Sequence, residues 1–218
     1  MKKGLVSSPF YPDSREDLGA LLFSFEKLAE SGMYDVLEFY YEGDASDYEV
    51  IGQKLADLGI EPVLHPGFAI KRDLLDLGSA DLQNRNEAIH LCCKFIDYCY
   101  ACGAKKMLVL SGPKTAAGND LDSYLDRFAD SLRQLCLYAA SGGESWQPEI
   151  TLEFFNDTGE PYLAIGNLDT VLKLTDRIDD LNGQFGITYD TSHVIQLGGN
   201  LNEYFNSLKK YIRHIHFA

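Results

Sequence analysis

From Leu5 onward, short runs of apolar residues alternate with longer stretches in which apolar residues recur every three or four positions. The first kind reads as buried strand and the second as amphipathic helix. Leu5–Ser8, Asp35–Tyr40, Ile60–His65, Lys106–Ser111, Glu149–Phe155, Phe185–Asp190 and Tyr211–Phe217 are the strands so predicted. Leu18, Leu21, Leu22, Phe25, Leu28 and Ala29 mark the face of a first helix, which Ser31-Gly32 ends. Further helices are predicted from about Asp47 to Leu58, over Asp81–Cys102, over Leu121–Ala139 with Gly142-Gly143 as its stop, from Asn167 to about Leu181, and over Leu201–Lys210. Gly59 and Gly103 stand where helix C-terminal glycines belong. Pro66–Ala80 reads as a longer loop.

This uninterrupted alternation predicts one parallel α/β domain over 1–218, with no linker or low-complexity tract. A doubly wound sheet and a barrel both fit. Two features favour a (β/α)₈ TIM barrel of which the sequence covers strands one to seven. The turn after the first strand, Ser7-Ser8-Pro9-Phe10, has no Gly-rich dinucleotide fingerprint. The later strands also sort their faces as barrel strands do. On the sixth, Phe185, Ile187 and Tyr189 would meet helices, while Gly186, Thr188 and Asp190 face the lumen. On the fifth, Thr151 and Glu153 face inward. A complete barrel usually needs ~250 residues, and this chain has 218. The expectation is a C-terminally incomplete barrel, a fragment or one whose gap a second chain fills, with strands one and seven left unpaired.

Charge narrows the partners. The formal net charge of −14 repels polyanions, so nucleic acid and anionic membrane are not expected. No run approaches the ~20 apolar residues of a membrane span, and the N-terminus lacks the long apolar region of a signal peptide; a cytoplasmic location is expected. Five cysteines, four of them between Cys92 and Cys102, are not a disulfide framework. Cys99 and Cys102 form a C-x-x-C without a matching pair elsewhere, and with Cys92 they fall at helical spacing, which predicts small, reduced, buried core residues.

The chemistry lies at strand ends. Glu153, Asp190 and His216 each stand at or near the carboxyl end of a predicted strand in inward register, and barrel active sites occupy that rim. Two carboxylates and an imidazole suit a divalent metal such as Mn²⁺, Mg²⁺, Co²⁺ or Zn²⁺. His193 follows Asp190 by three residues and is placed to reach substrate or a second metal. Glu38 on the second strand, also in inward register, is a candidate substrate contact, against a surface or ion-paired role.

Three segments, Leu152-Glu153-Phe154-Phe155-Asn156, Tyr189-Asp190-Thr191-Ser192-His193 and His214-Ile215-His216, together resemble the signature of the xylose-isomerase-like TIM-barrel superfamily of sugar phosphate isomerases and epimerases. The resemblance spans essentially the whole chain. It implies metal ligation by Glu153, Asp190 and His216 and substrate contact by His193. The family's fourth ligand, a glutamate on strand eight, has no counterpart here. His65 stands where the family often has a histidine, and it either lines the site or is packed. The nuclease branch adds histidines, one after strand four, where this chain has Ser111-Gly112-Pro113; a backbone N–H at Ser111-Gly112 near substrate or a plain turn both fit that place.

The function so expected is isomerisation or epimerisation of a small sugar or other hydroxy-carbonyl compound. A proton is removed next to a carbonyl, through an enediolate, with Glu153 as proton carrier as well as ligand. The alternative is a non-catalytic sugar- or metal-binding barrel or an inactive truncated product; inosose-type dehydration and apurinic-site cleavage rank lower. Phe10, Tyr11, Tyr40, Tyr41 and Phe68 are candidate walls of a substrate pocket, and Lys71, Arg72 and Lys114 candidate phosphate contacts. Homo-oligomerisation is left open.

Overall fold

The computed structural model describes residues 2–7, 9–114, 120–142, 145–154, 163–181 and 183–217. Its strands are β1 Gly4–Val6, β2 Val36–Phe39, β3 Glu61–Leu64, β4 Lys106–Val109, β5 Glu149–Glu153, β6 Phe185–Asp190 and β7 Ile212–His216. Its α-helices are α1 Leu18–Glu30, α2 Ala45–Leu58, α3 Gly67–Arg72, α4 Leu82–Cys102, α5 Leu121–Ala140, α6 Leu168–Arg177, α7 Thr191–Gln196 and α8 Leu201–Leu208. Ser8, Gly143, Phe155 and Asn156, used in the sequence reading, lie outside the described residues.

All seven strands pair in parallel in the order β1 to β7. This is a TIM-barrel sheet with seven strands, and β1 and β7 are its two unpaired edges, as expected. The sheet is nevertheless curled, because side chains of β2 and β7 touch across the lumen: Glu38 Oε2 lies 3.0 Å from His216 Nε2.

Strand alternation sorts the core into two regions. Leu37, Phe39, Leu64, Met107, Val109, Ile150, Leu152, Ile187 and Tyr189 point outward into one continuous apolar layer beneath the helices. Phe25 of α1, Ile51 of α2, Cys99 of α4 and Leu132 of α5 close it from outside. Burying such side chains contributes ~1.5–3 kcal/mol each. Val63, Leu108 and Leu110 are also buried but stand apart from that layer, on the lumen side.

The seventh strand departs from simple alternation. Ile187 pairs with Ile212, yet Thr188 pairs with His214, so Arg213 is the extra residue of a β-bulge. Ile212 and Ile215, three residues apart, both pack against the outer apolar layer; a regular strand would send one of them inward. The bulge allows both and turns His214 and His216 into the lumen. Arg213 reaches over Gly186, where a Cβ would meet its Cγ at 2.3 Å, and pairs with Glu149 at 3.1 Å, which Lys106 also meets at 2.6 Å. These charges floor the lumen at its amino end.

Pro66–Ala80 is not all loop: α3 forms inside it, burying Ala69 and Ile70. The stretch from Asn167 gives α6 only to Arg177, followed by a 3₁₀ turn over Asp179–Leu181. Gly59 and Gly103 end α2 and α4 with φ of 68° and 77°, the left-handed region that glycine enters without steric cost. Ser141, rather than the glycine pair, is the C-cap of α5.

Candidate metal centre and active site

Glu153 is the last residue of β5 and Asp190 the last of β6, so the chain leaves both strands at the carboxyl rim. Each is a carboxylate nearly withdrawn from water, 5% and 6% exposed. Beneath them, two residues earlier on each strand, the Thr188 hydroxyl donates to Thr151 Oγ1 at 2.8 Å. Asp190 divides its oxygens. Oδ1 caps α7, accepting from Ser192 N–H at 2.7 Å, Ser192 Oγ at 2.6 Å and His193 N–H at 3.4 Å. Oδ2 faces the lumen, 3.6 Å from His193 Nε2 and 3.7 Å from His216 Nδ1. α7 was not anticipated from the sequence. Its first turn turns His193 back over the site, where Nε2 also lies 3.9 Å from Glu153 Oε1.

His216, on β7, joins the two sides of the lumen. Nδ1 lies 2.9 Å from Glu153 Oε1 and Nε2 lies 3.0 Å from Glu38 Oε2. The same Glu38 oxygen is 3.2 Å from His214 Nε2. Glu38 is 3% exposed. Glu153, Asp190 and His193 thus form one group whose ligand atoms lie within 4.8 Å of one another, and Glu38, His214 and His216 form a second.

The charges follow from this crowding. Burial pushes the His216 imidazolium down, but the nearby Asp190 carboxylate and the hydrogen bonds to Glu153 and Glu38 outweigh it and raise the pKa to about 12. Burial raises Asp190, yet His216 and the Ser192 hydroxyl bring it to about 2. Burial also raises Glu38, and the bonds from His214 and His216, with the charges of His216 and His65 nearby, hold it well below the usual carboxylate range. Three buried carboxylates therefore share one lumen with one imidazolium as the main compensating charge. That excess of oxygen ligands and negative charge fits a divalent cation, so the residues present suit the metal that the sequence implied.

Other sequence candidates fall around this centre. His65 follows β3; its Nδ1 is buried with no hydrogen-bond partner among the described residues. A Cβ on Gly67 would meet its ring at 2.7 Å, so the glycine lets α3 close over it. Lys71 of α3 is exposed as a residue, but crowding about its ammonium lowers its pKa and the charge of Glu153 opposes that. Arg72, by contrast, is held outside by Glu42 and Asp73. Tyr40 and Tyr41 are buried, and Phe10 and Phe68 are exposed. The Gly112 N–H is consumed within the scaffold, donating to Asp76 Oδ1 at 3.2 Å and to the Tyr124 hydroxyl at 2.9 Å. His214 was not singled out as a site residue, although its spacing of two from His216 was the available signal.

The chain matches the family described as xylose isomerase-like TIM barrel over residues 25–218. No curated protein matches it. Among solved structures it is similar to a D-tagatose 3-epimerase-like protein, with TM-score 0.77, 22% identity and coverage of 99% of this chain and 75% of that one. It is similar to D-psicose 3-epimerase with D-tagatose from Clostridium cellulolyticum H10, with TM-score 0.80, 18% identity and coverage of 100% and 73%. An AP endonuclease, family 2, from Brucella melitensis gives TM-score 0.77, 17% identity and coverage of 100% and 80%. At these identities the likeness shows the fold.

Proposed function

We propose, since the chain belongs to the xylose isomerase-like TIM-barrel family, that it acts as a divalent-metal-dependent isomerase or epimerase of a small sugar or hydroxy-carbonyl compound. The observation that carries this reading is the convergence of Glu153, Asp190 and His216, from three successive strands, at the carboxyl rim.

Glu153, Asp190 and His216 would hold the cation. When bound, it would supply positive charge beside the oxygen on which charge develops as the proton leaves. Glu153 is the proton carrier: its carboxylate takes the proton from the carbon next to the substrate carbonyl, giving an enediolate; returning it to the neighbouring carbon isomerises the substrate, whereas epimerisation takes a second acid that protonates the same carbon from the opposite face. His193 and His65 bind substrate hydroxyls beside it. Lys71, whose charge is felt at Glu153, steadies negative charge on the substrate side. Val63, Leu108 and Leu110, all buried, give the lumen an apolar lining beside these groups.

The D-tagatose in the psicose epimerase structure makes free ketoses the first substrate class to test. Endonuclease activity, for which the Brucella melitensis protein is named, suits the chain less well, because its net charge of −14 opposes phosphate binding.

The test is exchange. The Mn²⁺-loaded protein is incubated in D₂O with D-psicose, D-tagatose and related ketoses, and proton NMR follows the hydrogen on the carbon next to the carbonyl. Loss of that signal, with or without a new epimer, is expected for at least one ketose. Intact signals across ketoses, aldoses and their phosphates would overturn the reading.

A further inference from the structure

Glu38 presents a problem that the proposed reaction does not solve. It is a buried carboxylate on β2, opposite the Glu153 and Asp190 side of the lumen. An unpaired buried charge is strongly destabilising, so its partners matter. Both come from the far edge of the sheet: His214 Nε2 at 3.2 Å and His216 Nε2 at 3.0 Å meet the same oxygen, Oε2. An ionised carboxylate oxygen only accepts. Each imidazole is thus placed to donate from Nε2 to that oxygen.

We infer that Glu38 is a positioning residue for His216: by holding the ring proton on Nε2, it commits Nδ1 to the cation side that Glu153 and Asp190 define. The geometry supports this at both ring nitrogens. Nδ1 lies 2.9 Å from Glu153 Oε1 and 3.7 Å from Asp190 Oδ2, so a cation seated among these groups would replace the Nδ1 proton, and the nitrogen it meets is the one that faces the other ligands. A metal-binding imidazole generally has its second nitrogen fixed by a carboxylate or carbonyl. His214 is part of the same device. Its ring packs edge-on to that of His216, with centroids 5.0 Å apart and planes at 82°, and its own bond pins the Glu38 oxygen. Without His214, Glu38 would be held by the very ring it has to orient.

The inference rests on Glu153, Asp190 and His216 being the cation-holding group. It competes with one other use of the same atoms, a second cation held by Glu38, His214 and His216. The two differ in stoichiometry and in the tautomer of His216.

The experiment measures Mn²⁺ binding by titration calorimetry for the wild-type chain, D190N, E38A and E38Q, and the ¹⁵N shifts of His216 with Zn²⁺ bound. We expect one Mn²⁺ per chain in the wild type and loss of binding in D190N. E38A should bind roughly 10–100-fold more weakly, with E38Q in between, since its amide oxygen still accepts one bond and keeps the lumen filled if E38A folds poorly. The shifts should report Nε2–H with Nδ1 ligated. Wild-type affinity in folded E38Q and E38A, beside loss in D190N, overturns the role of Glu38 alone. Two ions in the wild type falling to one in E38A, or ligation through Nε2, assigns the second cation site instead. Equal binding, or none, in wild type and D190N overturns the metal reading and this one with it.

Discussion

The Thr188 hydroxyl donates to Thr151 Oγ1 at 2.8 Å, directly below Asp190 and Glu153 on the same two strands. The bond joins two small lumen side chains that no water needs to satisfy. It ties β5 to β6 one layer under the carboxylates that the reaction would use, so those carboxylates start from a braced base.

On that base, Glu153→Gln is the sharpest test of the chemistry. Glutamine keeps the size of the side chain and one carbonyl oxygen but cannot accept the substrate proton. Turnover should fall by ~10²–10⁴-fold, the usual contribution of a positioned acid or base. Solvent-deuterium exchange into substrate should fall with it. Exchange at the wild-type rate would remove Glu153 from the proton-carrying role.

Removing metal should destabilise the fold as well as stop the reaction. Three buried carboxylates around His216 repel one another, and a divalent ion that binds only the native state adds RT ln(1 + [L]/Kd), ~2.7 kcal/mol at a hundred times Kd. Thermal unfolding should therefore move to higher temperature with Mn²⁺ and back again with a chelator. An unchanged midpoint at saturating Mn²⁺ would count against a native-state metal centre.

Asp76 provides a pH dependence away from the proposed metal ligands. Oδ1 accepts from the Gly78 N–H, the Tyr124 hydroxyl and the Gly112 N–H, while Oδ2 is buried with no partner among the described residues. Burial raises its pKa, and the bonds from Gly78, Tyr124 and Gly112 and the charge of Arg127 only partly offset that. An acid raised on folding contributes stability that is present below its unfolded value, ~3.9, and is lost as pH rises through its folded one. Wild type should lose stability relative to Asp76→Asn between pH 4 and pH 7 in urea unfolding. A difference that grows in favour of wild type over that range would reverse the assignment.

The same contact makes Gly112 intolerant of a side chain. A Cβ there would meet Asp76 Cγ at 2.0 Å, and the carboxylate cannot retreat without dropping its three donors. Gly112→Ala should cost ~1–3 kcal/mol, as overpacking does. A urea midpoint equal to that of wild type would show that Asp76 has another place to go.

Thiol labelling should rank the cysteines. All five are free, and Cys92, Cys99, Cys102 and Cys136 are buried, with Cys93 intermediate. Burial pushes Cys102 and Cys136 up to about 12 and Cys93 up to about 11. Thiolate is the reactive form, so a native-state reagent should modify Cys93 first and the others at the rate of unfolding. Fast reaction at Cys99 or Cys102 would contradict the core placement of that C-x-x-C.

What could be read from the sequence followed from short-range periodicity. Alternation on β5 and β6 identified Glu153 and Asp190 as lumen residues, and the apolar spacing of α1, α4 and α5 placed their buried faces. The open edge between β1 and β7 was legible from the strand count. Long-range pairings were not. Nothing in Val36–Phe39 announces that Glu38 will meet imidazoles from the opposite edge of the sheet. Nor does Pro66–Ala80 advertise α3, whose few residues are too short to show a helical period and are held by burial of Ala69 and Ile70. The helix after Asp190 was hidden for the same reason, although Asp190 followed by Ser192 is the pattern of an N-cap.

The bulge at Arg213 gives strand seven a tolerance that the other strands lack. Elsewhere in a sheet, gaining or losing one residue flips every later side chain to the opposite face. Here the ladder already accommodates one residue more than its partner has, between Ile212 and His214. Deleting that position would leave a regular strand in which Ile212 and Ile215 still face the helices and His216 still faces the lumen. A lineage of such chains could thus lose this codon without inverting the candidate metal centre. The change would be felt at the floor of the barrel, where Arg213 meets Glu149.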